Sequence, residues 1–352
     1  MSIHVEQFNE NSEAWDSYVL SHPDGSVYHL WFFKMVVEKT YRHKSHYLVA
    51  KDESGTITGV LPLFYIPSFF LGKSLVSIPF CDYGGIVASD LESEKALLAK
   101  VIELKERLKA DYFELRQTNQ LHDIASDYPH LTSKIDIVTS KVRMKVALPD
   151  TSDALFASFP AKLKSQIRKP QKEGCTTKCG GVELIDDFYT VFVYNMRDLG
   201  SPVHSKKMIE NTVTLYQAKS RLFVVYQGDT PIACSCVAGS GDTLVNPWAS
   251  FDRRFQKVAP NMLLYWEMLQ YAVNEKYNYF DFGRSTPDEG TYKFKSQWGA
   301  QPHQLYWYKV GVEKSEGAVT EGNKKGFINV WQKLPIRVTK IFGPILRRQL
   351  HL

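Results

Sequence analysis

The chain has 352 residues of ordinary globular composition, 44% hydrophobic and 13% aromatic, so its length favours two domains, each with its own core. Lys and Arg number 43 against 38 Asp and Glu, a formal charge of +5, which admits an anionic partner and excludes a chain whose affinity rests wholly on nucleic-acid phosphates. Five cysteines, an odd number, argue against a disulfide framework and for a reducing, cytoplasmic setting.

The first residues, "MSIHVEQFNENSEAW", have neither a basic start nor an apolar block, so no signal peptide is expected. "HYLVA" and "TITGVLPLFYI" read as strands joined by the turn "KDESG". The apolar run "IPSFFLGKSLVSIPF" carries Lys73 and falls short of the ~18 residues of a membrane span, so the protein is at most peripheral. "SLVSIPFCDYGGIVA" suggests a strand pair broken at Gly-Gly. "LESEKALLAKVIELKERLKA" is a helix, apolar at Leu97, Leu98, Val101, Ile102, Leu104 and Leu108, and it runs into the strand "DYFELRQT".

Two segments of helix, "SDALFASFPAKLKSQIRKPQKEG" and "DDFYTVFVYNMRDLGSPVHSKKMIENTVTLYQ", open the second half. The plan then repeats. "RLFVVYQGDTPIACSCVAGSGDTLVNPWASF" supplies three strands, "APNMLLYWEMLQYAVNEKY" a helix with Pro260 in its first turn, and "NYFDFGRST" a closing strand. Asp111–Leu115 and Asn278–Phe282 share one pattern at a spacing of about 167 residues, each after a helix of similar length. The expected fold is α/β (α+β): two tandem GNAT-like acyltransferase domains, each a mixed twisted sheet flanked by helices. The boundaries are 1–148 and 149–315, with a basic amphipathic tail at 316–352.

Lys164, Arg168 and Lys172 recur at i, i+4, i+8 and share a helix face, with Lys162 and Lys169 nearby and no acid until Glu173. Pro170 is expected to interrupt that helix. An unneutralised basic face beside a break suits phosphate, against the plainer reading of a solvated charged face. Where a GNAT enzyme presents a glycine-rich loop to the coenzyme A pyrophosphate, this chain has "QKVAPN", lacking the glycines and carrying a proline without an N–H. Cys175 and Cys179 flank a polar turn, and Cys234 and Cys236 share a strand face. These spacings match no zinc ribbon or finger, and no metal site is expected.

In "YFDFG" Asp281 alternates with Phe280 and Phe282, and Arg284 follows at a strand end, where sheets open to small molecules. The plainer alternative is an ion pair of Asp281 with Arg284. "YKFK", residues 292 to 295, would set both lysines on one face of an edge strand. From Lys324 onward the tail holds seven Lys or Arg and no acid, interleaved with Trp331, Phe342, Ile345 and Leu346. That reads either as a membrane-surface segment or as a terminal helix docked on the core and shaped by Pro335 and Pro344.

"FDFGRST" followed by "GTYKFKSQWGA" resembles the C-terminal signature of FemAB-type transferases, which make peptidoglycan interpeptide bridges. "IPFCDYGG", "IRKPQKEG", "NMRDLGSPV" and "NPWASF…APNMLLYW" resemble more closely a FemAB-related branch associated with exosortase (PEP-CTERM) exopolysaccharide systems. The resemblance spans most of residues 25 to 308.

It implies transfer of an aminoacyl or acyl group to an amine of a cell-envelope or exopolysaccharide precursor. The donor would be aminoacyl-tRNA, or alternatively acyl-CoA, with no bound cofactor. Lys295 falls on the signature lysine and would steady the charge of the transferring carbonyl. Arg284 would orient a carboxylate or phosphate, and Asp281 would hold Arg284 or take the amine proton. Lys164, Arg168 and Lys172, with the motif residues Asp82, Tyr83, Arg197, Trp248 and Tyr292, would bind a phosphate-bearing precursor or tRNA. The chain departs from the bridge-forming enzymes in having no inserted coiled-coil arm. A coenzyme A-dependent N-acetyltransferase of polysaccharide biosynthesis and a non-catalytic module holding a lipid-linked glycan are the rival readings.

Overall fold

The computed structural model describes residues 2–9, 12–311 and 321–351, the side chains of 321–325 excepted. It contains two compact units, Met1–Val142 with His303–Val319 and Arg348–Leu352, and Arg143–Pro302 with Thr320–Arg347. This division differs from a linear cut at 148, because the strand Tyr306–Val310 joins the first sheet after the second unit's chain is nearly complete. The expected tail boundary at 315/316 lies outside the described residues.

The first unit holds an eight-stranded mixed sheet in the order His4–Gln7, Lys44–Lys51, Ile57–Ser68, Gly72–Val76, Tyr112–Gln117, Tyr306–Val310, Ile135–Val138, with Val87–Ala88 added beside Ile57–Ser68. The helix Leu91–Leu108 covers it. Asp90 accepts from the Ser93 N–H at its start, and Lys109 ends it in the left-handed region. Leu97, Leu98, Val101 and Leu104 are fully buried, each stabilising by about 1.5–3 kcal/mol. The apolar pattern therefore picked the correct face. Of the expected strand pair around Gly-Gly, only Gly72–Val76 and the two-residue Val87–Ala88 form. Ile78 and Phe80 between them adopt positive φ, which breaks any ladder.

The second unit holds a seven-stranded sheet in the order Gln301–Gln304, Val142–Ala147, Tyr279–Ser285, Thr243–Phe251, Thr230–Ser240, Ser220–Gln227, Cys175–Gly180. Helices Ile185–Asp198 and Pro260–Asn274 pack on it, and Ala161–Lys172 packs on Pro260–Asn274. Three local expectations are corrected here. Ala161–Lys172 continues through Pro170, which lies in its last turns with its ring buried. Cys175 and Cys179 sit within one strand, paired to Ser220–Gln227, and do not flank a turn. Residues 292–295 belong to the helix Gly290–Ser296 and not to an edge strand.

Both sheets contain one parallel pair of the same design. Ser74, Leu75 and Val76 lie opposite Tyr112, Phe113 and Glu114, and Thr243, Leu244 and Val245 lie opposite Tyr279, Phe280 and Asp281. Each parallel ladder stops after three residues. In the second unit both strands then run on without pairing to each other, whereas in the first Gly72–Val76 ends at its ladder and only Tyr112–Gln117 continues.

Candidate active site

In the second unit the opening is built on Tyr279–Ser285. Alternation sends Phe280 and Phe282 to the side of the helix Pro260–Asn274, where Tyr265 stacks on Phe282 with ring centroids 5.6 Å apart. Asp281 has no solvent exposure. Its Oδ2 accepts from Arg143 Nε at 2.6 Å, and its Oδ1 accepts from the Gly283 N–H at 2.8 Å. Asp281 thus holds Arg143, on the neighbouring strand Val142–Ala147, a partner that the sequence did not single out.

Gly283 has φ 73, a conformation that glycine adopts without penalty. Lys295 Nζ donates to the Gly283 carbonyl at 3.1 Å and to the Arg284 carbonyl at 2.7 Å, and the Lys295 side chain is buried. This explains why lysines and aromatics interleave just after the strand. On the helix Gly290–Ser296 and the turn after it, Phe294 and Trp298 are four residues apart and both pack on Tyr265. Anchored in this way, the helix turns Lys295 to the strand end and leaves Lys293 exposed.

Two further polar groups along this strand were not singled out by the sequence. Ser285 is buried at the strand end, and its hydroxyl has no hydrogen-bond partner among the described residues. Lys145 alternates with Arg143 along Val142–Ala147, and its Nζ lies 3.7 Å from the Tyr279 ring centre. Burial, then repulsion from Arg143, pushes its ammonium below the ordinary lysine range. The alternation of "VRMKVA", two bases between buried Val142, Met144 and Val146, is the sequence signal that would have found the pair.

Residues 157–296 match the family model described as "Acetyltransferase (GNAT) domain". No curated protein matches the chain in sequence. Among solved structures, a crystal structure of FemX is similar at TM-score 0.63 and 14% identity, covering 93% of this chain and all of that one. The C-terminal domain of a putative lysylphosphatidylglycerol synthetase from Agrobacterium fabrum is similar at TM-score 0.56 and 11% identity, covering 90% and 97%. A tandem GNAT protein of the clavulanic acid pathway is similar at TM-score 0.55 and 10% identity, covering 88% and 99%.

The fold is that of a tandem GNAT protein.

In the second GNAT-fold unit the helix Pro260–Asn274 opens on Ala259, at φ 57, and on Pro260, which has no N–H. The short helical turn Arg253–Val258 precedes it, and Arg254 folds back onto Asp252 with hydrogen bonds at 2.9 and 3.0 Å.

The remaining expected residues are spread over both units. In the second, Arg168 lies over the Phe156 ring at 5.2 Å, and Lys164 donates to the Ala157 carbonyl at 2.8 Å. Arg168 and Lys172 are exposed, and none of Lys164, Arg168 and Lys172 forms an ion pair among the described residues. Phe156 meets Trp266, which links this basic helix to the helix that carries Tyr265. Arg197 pairs with its neighbour Asp198 at 2.7 Å, Trp248 is buried beside His204, and Tyr292 is half-buried on the Lys295 helix.

Asp82 and Tyr83 lie in the first unit. Tyr83 is 1% exposed and meets Tyr28 edge-on, and the Asp82 carbonyl accepts from Trp307 Nε1 at 3.0 Å. The structure thus sets Lys295 on the Gly283 and Arg284 carbonyls at one strand end, with Ser285 beside them and Asp281 and its partner Arg143 just before, while Lys145 lies over Tyr279 at the start of that strand. Among the described residues no three His, Cys, Asp or Glu side chains are placed to hold a metal ion.

Proposed function

We propose that the chain is an acyltransferase that moves an aminoacyl group from aminoacyl-tRNA to an amine of a phosphate-bearing cell-envelope precursor. The observation that carries this reading is the Lys295 ammonium, buried and held by the Gly283 and Arg284 carbonyls at the end of a splayed parallel strand. The amine nitrogen attacks the ester carbonyl carbon, the carbonyl oxygen gains charge, and the C–O bond to the ribose breaks. The departing hydroxyl oxygen takes the proton that the amine loses. Lys295 steadies the charged oxygen in a site of low solvent access, where such stabilisation is strongest.

Ser285 offers its unpartnered hydroxyl to the substrate, and Arg284 orients its carboxylate or phosphate. Asp281 acts by holding Arg143 and the Gly283 turn, since both its oxygens already accept hydrogen bonds. The unpaired cations Lys164, Arg168 and Lys172 contact phosphate. A peptidoglycan precursor and an exopolysaccharide precursor of an exosortase-linked system are the two acceptor classes that the FemAB resemblance supports.

A second reading, N-acetyl transfer from acetyl-CoA, is favoured by the description of the matching family. The helix start at Ala259-Pro260, short of free N–H groups for a pyrophosphate, supports the first reading over it.

The test pairs transfer with binding. Labelled aminoacyl-tRNA is incubated with lipid-linked precursor and the purified chain, and label is counted in the lipid fraction. Lys295→Ala is expected to fold and to lose about 10²–10³ in turnover, and full activity in that variant removes Lys295 from the mechanism. Calorimetric titration with acetyl-CoA is expected to show no binding. Micromolar binding with acetylated product would replace aminoacyl-tRNA as the donor.

A further inference from the structure

The helix Ile336–Gln349 is packed the wrong way round for a helix that serves only as a cover. The residues it buries are small, Thr339 and Gly343. A Cβ on Gly343 would stand 2.8 Å from Val203 Cγ1 and 3.0 Å from the Val203 nitrogen, so close approach of the two backbones requires glycine there. Its bulky apolar residues face outward: Ile341 is 64% exposed, Phe342 53% and Ile345 58%. An amphipathic helix that only closed a core would place them the other way.

The outward stripe is continuous in helical spacing. Arg337, Lys340, Ile341, Pro344, Ile345 and Arg348 follow at i, i+3, i+4, i+7, i+8 and i+11, so the exposed isoleucines are bracketed by cations at both ends. No acid occurs anywhere from Lys324 to the last residue. Charges from neighbouring elements leave this balance standing. The carboxylate facing Lys340 is Asp186, which already bonds Lys206, and Arg347 turns inward to His204 at 3.1 Å. Among the described residues, five of the twelve exposed large hydrophobics fall between Phe327 and Ile345. No helix among the described residues is long and apolar enough to cross a membrane.

We propose that this face docks on an anionic lipid surface, with Ile341, Phe342 and Ile345 seated among the acyl chains and Arg337, Lys340 and Arg348 at the headgroup phosphates. Apolar side chains between flanking cations complement a bilayer interface, where hydrocarbon lies just below a layer of negative charge. The inference rests on the packing of this helix alone and stands or falls independently of the transfer reaction. For an enzyme acting on a lipid-linked substrate, it would confine the chain to the plane that holds the acceptor.

Flotation of the full chain with lipid vesicles tests it. Vesicles of equal parts phosphatidylglycerol and phosphatidylcholine are expected to carry the protein, with binding about a hundredfold stronger than to phosphatidylcholine alone and weakened by salt. The variant R337Q/K340Q/R348Q is expected to lose most of that preference. I341S/F342S/I345S is expected to lose about tenfold or more on both vesicles while keeping the parent's thermal midpoint, since all three side chains are already exposed. Failure of the full chain to float with anionic vesicles at low salt overturns the proposal. So does undiminished binding by both variants. Light scattering that shows a dimer abolished by I341S/F342S/I345S, without vesicle binding, assigns the face to a second copy of the chain instead.

Discussion

The two parallel strand pairs are built to one plan and finished differently. With the two closing strands aligned at their offset of about 167 residues, Glu114 corresponds to Asp281 and Arg116 to Gly283. Each carboxylate is fully buried and paired with an arginine. In the first unit that arginine comes from the same strand. Arg116 Nε donates to Glu114 at 2.7 Å, its guanidinium lies 4.5 Å from the Trp307 ring centre, and its Nη2 donates to the His351 carbonyl at 2.9 Å. The opening is filled by the protein's own side chains. In the second unit the arginine comes from the adjacent strand, the corresponding position is glycine, and the freed carbonyl receives Lys295. One opening is closed by the chain's own groups, and the other is where the proposed transfer site lies.

The electrostatics follow the same division. Burial on its own would raise the Glu114 carboxyl, but Arg116, His351 and Lys309 outweigh it and hold it at about 2. A carboxylate held that low cannot accept a proton from a substrate at neutral pH. Glu114 therefore stays ionised at neutral pH, paired with Arg116.

Acid should separate the units most. Burial pushes His29, His43 and His46 of the first unit down to about 4 each, and lowers His204 of the second. A histidine whose folded pKa lies below its unfolded value contributes fully above about 6.5 and loses that contribution as pH falls toward 4. With three such groups, the first unit should lose several kcal/mol over that window, and Glu114 adds a further loss as pH falls from about 4.5 toward 2. Hydrogen exchange read on peptides from Leu91–Leu108 and Pro260–Asn274 checks this. Loss of protection at one common pH would erase the distinction.

Next in size is Arg116→Met, which strands Glu114 without its main partner and should cost about 3–5 kcal/mol in denaturant unfolding of the first unit. Arg143→Ala removes the corresponding partner of Asp281 at a site with some solvent access, and about 1.5–3 kcal/mol is expected. Equal costs for the two would mean that the second pair is as structural as the first. Smallest in stability is Gly283→Ala, about 1–2 kcal/mol for a left-handed residue with a Cβ. Its effect on turnover should be larger than its effect on the melting point, because the Gly283 carbonyl seats Lys295. Unchanged transfer activity in Gly283→Ala would show that this seating has no part in the reaction.

Much of this was legible in the sequence, for reasons of periodicity. The helices Leu91–Leu108 and Pro260–Asn274 and the central strands of both sheets show their apolar spacing in the text, and the repeat of Asp111–Leu115 in Asn278–Phe282 pointed to tandem units, whereas His4–Gln7, Ile135–Val138, Val142–Ala147, Cys175–Gly180, Gln301–Gln304 and Tyr306–Val310 were not read as strands. Asp281 and Arg284 could be named because they stand at one strand end, and Lys295 because it falls on the signature lysine of the FemAB resemblance. Local pattern also misled. "YKFK" has the period of a strand, yet Phe294 and Trp298 pack four apart on Tyr265 and make that stretch a helix.

What the sequence determined by itself is the main helices and central strands, their order and their repetition, since each depends on spacing within a short window. What only the tertiary structure decided is partnership across the chain. Arg143 is 138 residues from Asp281, and His351 is 235 from Arg116. Which arginine neutralises which buried carboxylate, and which opening is thereby filled, depends on sheet order. Sheet order is settled by burial summed over many side chains, and no local stretch of sequence encodes that sum.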